Sequence, residues 1–115
     1  MSKKGDKMED LKFEKSSGNV FADIGLDESE ERLAKSDLAL KIAQIINKSH
    51  LSQTQAAKLL GITQPKVSAI LSGQLKGFSL EKLMHLLCAL DWDVEVVVKK
   101  KPKSREHGRL QVVCA

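Results

Sequence analysis

Gln53, Thr54, Thr63, Gln64, Lys66, Ser68 and Ser72, with Gln74 and Lys76 just beyond, crowd into LSQTQAAKLLGITQPKVSAILSGQLK, residues 51–76. Amides can pair with base edges, hydroxyls and amides with phosphate oxygens, and lysines supply charge. The mixture therefore suits a surface that reads a nucleic-acid groove. Pro65, between Gln64 and Lys66, belongs to the same presented stretch. The alternative is an ordinary pair of helices with a solvated face, but such a face more often carries Glu and Lys than Gln, Thr and Ser.

No other constellation in the chain carries chemistry as well. His50, His85 and His107 have no carboxylate or cysteine at a metal-ligand interval, no nucleophile stands beside a base, and no glycine-rich phosphate loop follows a strand. The expectation is a binding protein with no catalytic residue, no metal and no cofactor. His85, on a leucine-rich helix, reads as a half-buried structural residue. Cys88, in SLEKLMHLLCAL, reads as a small buried thiol, and Cys114 as an exposed one. With no signal-peptide pattern and no apolar run of membrane length, these cysteines point to a reducing, cytoplasmic setting without a disulfide.

The polar residues need a scaffold, and the residues between them supply one. With Gln53 as position one, Ala56, Leu60, Ile62, Val67 and Ile70 stand at four, eight, ten, fifteen and eighteen, Ala57 at five and Gly61 at nine. A small residue at five lets a second helix cross the first, and glycine at nine permits the positive backbone angle that reverses the chain. The apolar positions face inward and the polar ones outward. Ser52 caps the first helix, and Pro65 sits in the first turn of the second, where its missing N–H costs nothing.

This stretch resembles the helix-turn-helix of the lambda-repressor-like, or XRE, family, from its leading Leu-Ser-Gln to its closing Ser-Gly. The resemblance implies that Gln53 touches the DNA backbone and supports the reader, that Gln64 addresses a base, and that Lys66 and Ser68 flank it. A broader match, over roughly residues 18–100, is to the HigA-like antitoxin and regulator branch. It rests on NVFADIGL, the acidic helix after it and GFSLEKLMHLLCALDWDVEVVVKK. That branch is usually paired with a small ribonuclease toxin, so the resemblance implies a small basic ribonuclease partner and a double-stranded operator. Many relatives carry Arg or Lys at the place of Gln64 or Lys66, so Gln-Pro-Lys leaves the target sequence open.

The rest of the 115 residues reads as follows. A chain of this length forms one domain, and with only 3% aromatics its core must be aliphatic, which favours packed helices. Residues 1–35 hold 7 Lys/Arg against 9 Asp/Glu, residues 36–90 hold 6 against 2, and residues 91–115 hold 6 against 4. Residues 1–17 are an aperiodic, flexible arm. Val20, Phe21, Ile24 and Leu26 form a short apolar patch suited to a partner such as the toxin, or to packing back on the helix that follows.

From Leu33 the apolar residues Leu38, Ile42, Ile45 and Ile46 describe a helical stripe with a slip near Ser36-Asp37, leaving one helix or two between 27 and 48. Ser79 caps a last helix through Leu90. Then the period changes from 3.6 to 2: Trp92, Val94, Val96 and Val98 alternate with Asp93, Glu95, Val97 and Lys99, the pattern of a strand.

The expected architecture is therefore all-α, a bundle of about five helices over residues 18–100 with one C-terminal β-strand. Only the short NVF stretch, residues 19–21, could pair with that strand, and its length is poor, so the strand is assigned to dimerisation about a two-fold axis. Such a homodimer would read an inverted repeat, with recognition helices about 34 Å apart. KKKPKSR, residues 99–105, reads as part of a flexible, solvated basic tail over 101–115. The expected function is a homodimeric, sequence-specific repressor, in its more detailed form an antitoxin that represses its own operon. A stand-alone regulator, or a protein-interaction module without DNA binding, is the alternative.

Overall fold

The computed structural model describes residues 28–114, and all four of its regular elements there are helical: α1 Glu28–Lys48, α2 Gln53–Leu60, α3 Gln64–Leu71 and α4 Leu80–Ala89. The arm over residues 1–17 and the patch of Val20, Phe21, Ile24 and Leu26 lie outside the described residues.

Residues 28–48 form one continuous helix and not two, and the described residues hold four helices where about five were expected over 18–100. The slip at Ser36-Asp37 disappears once Ala34 is counted in place of Leu33. The buried face runs Ala34, Leu38, Ala39, Ile42, Ile45, Ile46, an unbroken three-and-four spacing, whereas Leu33 is 63% exposed. Glu28, Glu30 and Glu31 occupy the first turn, where carboxylates meet unpaired amides. Arg32 and Lys35 reach back one turn to Glu28 and Glu31, each at 3.4 Å.

The core lies where these faces meet. Helix α1 packs on α4 and on α3, α2 packs on α3 and on α4, and Ile42, Ile46, Val67, Leu83 and Leu86 are fully enclosed. Phe78, in the loop before α4, joins them as a buried aromatic and donates its amide to the Leu75 carbonyl at 3.0 Å. On α4 the inward residues are Leu83, Leu86, Leu87 and Leu90. His85 and Cys88 point away from that stripe and are exposed, contrary to the half-buried histidine and buried thiol expected from the sequence.

All four helices end in the same way. A residue in the left-handed region follows each: His50 (φ 57°), Gly61 (φ 71°), Gly73 (φ 80°) and Asp91 (φ 68°). The next amide then donates five residues back: Leu51 to Ile46, Ile62 to Ala57, Gln74 to Ala69 and Trp92 to Leu87, at 2.8–3.1 Å. These are Schellman motifs, which occupy carbonyls that the helix leaves open. Two of the four, at His50 and Asp91, use a residue with a Cβ.

After Trp92 the chain forms no strand among the described residues. The alternation of Trp92, Val94, Val96 and Val98 is present as a pattern, but a strand exists only where a neighbour completes its ladder, and the described residues offer none. Val94 tucks against the core, while Val96, Val97 and Val98 are 76%, 74% and 91% exposed. Trp92 is half-covered by Lys41, whose Nζ lies 4.2 Å from the ring centroid. Beyond this the tail returns to the body: Arg105 donates to the Pro102 carbonyl in a turn, and Val112 packs against the same core as Val94. No helix among the described residues is long and apolar enough to cross a membrane.

Candidate nucleic-acid interface

The two short helices α2 and α3 meet through Gly61, Ile62 and Thr63. Their inward positions are those expected from spacing: Ala56, Ala57, Leu60, Val67 and Ile70 are buried, and Ile62 packs against them. Gly61 holds φ 71°, so the turn depends on a residue that tolerates the left-handed region.

The first helix is fixed by a capping box. The Ser52 hydroxyl accepts from the Gln55 amide at 3.1 Å, and the Gln55 side-chain oxygen accepts from the Ser52 amide at 2.9 Å. Gln55 is thereby tied to the scaffold, which sets it apart from the other glutamines of the stretch. Gln53 is half-buried at the first helical position, and Thr54 beside it is exposed.

Thr54 makes the bond that joins the two helices at their N-terminal ends: its hydroxyl donates to the Gln64 side-chain oxygen at 3.5 Å. The spacing assigned Thr54 no such role, and the structure adds its contact with Gln64 to the residues of the stretch. Gln64 keeps its amide N–H groups and a second lone pair for another partner.

Helix α3 begins at Thr63, whose backbone has the extended geometry of a cap (φ −78°, ψ 157°) but whose hydroxyl makes no capping bond. That hydroxyl is left available beside the helix N-terminus, where amides and dipole both favour an anion. Gln64, Pro65, Lys66 and Ser68 are exposed along the first two turns, opposite Val67 and Ile70. Ser72 is exposed too, but its hydroxyl donates back to the Ser68 and Ala69 carbonyls at 3.0 and 3.2 Å, so it can only accept. Gln74 and Lys76 follow in the exposed loop.

The electrostatics of this surface are simple. From Leu51 to Phe78 the chain carries Lys58, Lys66 and Lys76 and no carboxylate. The face is positive and its polar side chains are mostly neutral, a composition that can approach phosphates while leaving amides to discriminate bases. Among the described residues no cluster of His, Cys, Asp or Glu is placed to hold a metal ion.

Residues 20–99 match the family model of a helix-turn-helix domain. A solved structure described as an XRE family transcriptional regulator is 52% identical to this chain, covering 77% of it and 100% of its own length with a TM-score of 0.74. None of the curated proteins matches the chain.

Proposed function

Because the chain belongs to the helix-turn-helix family and is a DNA-binding regulator of the XRE type, we propose that it acts as a homodimeric repressor reading an inverted-repeat operator. Gln64 is the base reader, oriented by Thr54. Gln53, Thr63, Lys66, Ser68, Ser72, Gln74 and Lys76 contact the phosphates around it, and Pro65 lets the helix start close to the backbone.

The observation that carries the dimer is the exposed run Val96-Val97-Val98. It forms no backbone hydrogen bond with any described segment, so amides, carbonyls and apolar side chains all lie open to solvent. Pairing the segment from Trp92 to Val98 with the same segment of a second copy would satisfy the amides and cover the valines together. In that state the segment becomes the strand its alternation predicts.

Size-exclusion chromatography of Val96→Asp at micromolar concentration tests this, because two carboxylates would oppose each other at the centre of the pairing. The variant should elute as a monomer and lose most of its operator affinity, since one half-site binds weakly. A Val96→Asp protein that remains dimeric would move the interface elsewhere.

The more specific reading makes the chain the antitoxin of a small basic ribonuclease. It is supported by the acidic first turn of α1, Glu28, Glu30 and Glu31, which directly follows the apolar residues Val20, Phe21, Ile24 and Leu26. Deleting residues 1–26 should leave DNA binding nearly intact and abolish co-purification with the product of the neighbouring reading frame. Equal co-purification of both forms would move the partner's site off residues 1–26, and no co-purification with either would leave a stand-alone regulator.

A further inference from the structure

Between Val94 and Val112, both packed on the helical core, the chain makes an excursion whose charge no other described segment matches. From 99 to 109 it carries Lys99, Lys100, Lys101, Lys103, Arg105 and Arg109 against a single carboxylate, Glu106. Glu106 lies 3.8 Å from the His107 ring, and no ion pair with a described carboxylate engages the six cations. The four lysines are exposed, and Arg105 is held in the turn by its amide bond to Pro102 and by a 3.5 Å bond from its guanidinium to the His107 carbonyl.

We infer that this basic excursion is a second DNA-contacting surface, which grips phosphates flanking the bases read by α3. The inference rests on the DNA-binding reading above and adds a second contact to it. Three observations support it. The reading unit itself has only Lys58, Lys66 and Lys76, so six of the nine cationic side chains of the reading face and excursion would be missed by counting the reading unit alone. The electrostatic part of DNA affinity scales with the number of phosphates neutralised, and the excursion holds the larger share of what could neutralise them.

Anchoring is the second observation. A free tail loses much conformational freedom when it docks, whereas a loop held at Val94 and Val112 has already given up part of it. Reach is the third: the eight residues from Val94 to Pro102 can span up to about 27 Å when extended. That compares with the 24 and 29 Å short dimensions of the molecule. The matched family region ends at residue 99, so the excursion is an addition to the shared domain.

The test compares the full-length protein with its quadruple variant Lys99→Gln, Lys100→Gln, Lys101→Gln, Lys103→Gln. The probes are a duplex selected from a random pool and a mixed-sequence duplex of about 30 base pairs, roughly three helical turns. With all four lysines on phosphates, the slope of log affinity against log salt should become shallower by about 3 to 4 on both duplexes. Between about 50 and 200 mM salt the native chain should then lose on the order of a hundredfold more affinity than the variant.

The preference for selected over mixed duplex should stay the same, because phosphate contacts carry no sequence information. A double variant, Lys48→Gln with Lys82→Gln, controls for overall charge and should leave the slope nearly unchanged. If the native protein binds duplex and the quadruple variant keeps its slope, the lysines serve an acidic protein partner or solvent, and the inference is overturned while DNA reading stands. If the native protein binds neither duplex at any salt, both fall.

Discussion

The helix-turn-helix unit and the segment from Trp92 to Lys99 are both amphipathic, yet they reach different states. In the first, Ala56, Ala57, Leu60, Val67 and Ile70 are all buried, with α3 against α1 and α2 against α4. In the second, Val94 reaches the core, and Val96, Val97 and Val98 remain in solvent. The physical distinction is where the backbone finds its partners. A helix of eight residues closes its hydrogen bonds within itself and needs neighbours only for its apolar face. An extended segment needs a neighbour for both. Among the described residues no second strand meets the alternating pattern, so its backbone groups stay without a ladder partner there.

The largest effect expected from this contrast is in stability. Leu83→Ala, in a side chain that is 0% exposed, should cost about 2–5 kcal/mol, whereas Val98→Ala, at 91% exposure, should change the stability of the monomer by less than about 0.5 kcal/mol. Thermal denaturation of both variants at low protein concentration decides the matter. Comparable losses would mean that the valine segment is buried in the monomer after all.

Next in size is recognition. Gln64→Ala should weaken binding to the selected operator by about 1–3 kcal/mol and leave binding to mixed-sequence DNA nearly unchanged. Lys66→Ala should weaken both evenly. Titration of each variant against the two duplexes separates them, and equal losses for Gln64→Ala on both would remove its role as reader.

Two smaller effects test the helix ends. Gly61→Ala places a Cβ in open space, with nothing within 4 Å, so only the left-handed backbone is strained; the loss should be about 1–2 kcal/mol. Asp91→Gly works in the opposite sense. It relieves about 1–2 kcal/mol of left-handed strain at φ 68° against about 0.4–1 kcal/mol of added unfolded-state freedom, so the protein should gain up to about 1 kcal/mol in urea denaturation. A destabilised Asp91→Gly would show that the aspartate side chain contributes something that its backbone position does not.

What the sequence made legible follows the same division between local and non-local causes. The capping serine, the turn glycine and the inward positions of α2 and α3 are set by neighbours one or two turns away, and all are found where spacing puts them. The positive face of polar residues is likewise a property of one short stretch. The misread positions depend on elements distant in the chain. Ala34 is buried and Leu33 exposed because of how α1 is rotated on the bundle, and residue type alone favours the leucine. His85 and Cys88 sit one helical step off the stripe that meets α1. Phe78 enters the core from a loop with no period to reveal it, and Val112 is drawn back by packing that no local pattern encodes. The bond from Thr54 to Gln64 depends on how two helices meet at their ends, which spacing along either one does not specify.

The stacking of Lys41 on Trp92 has a practical consequence. Trp92 is the one tryptophan of a chain that contains no tyrosine, so its emission dominates the protein's intrinsic fluorescence. Its indole stands at the junction where α4 ends and the valine segment leaves the bundle, with an ammonium over the ring. The chain thus carries its own optical reporter at the proposed seam between protomers. Emission that shifts with protein concentration would register assembly, emission that shifts with added duplex would register a signal passed from α3 to that seam, and the helical circular dichroism would follow the bundle separately.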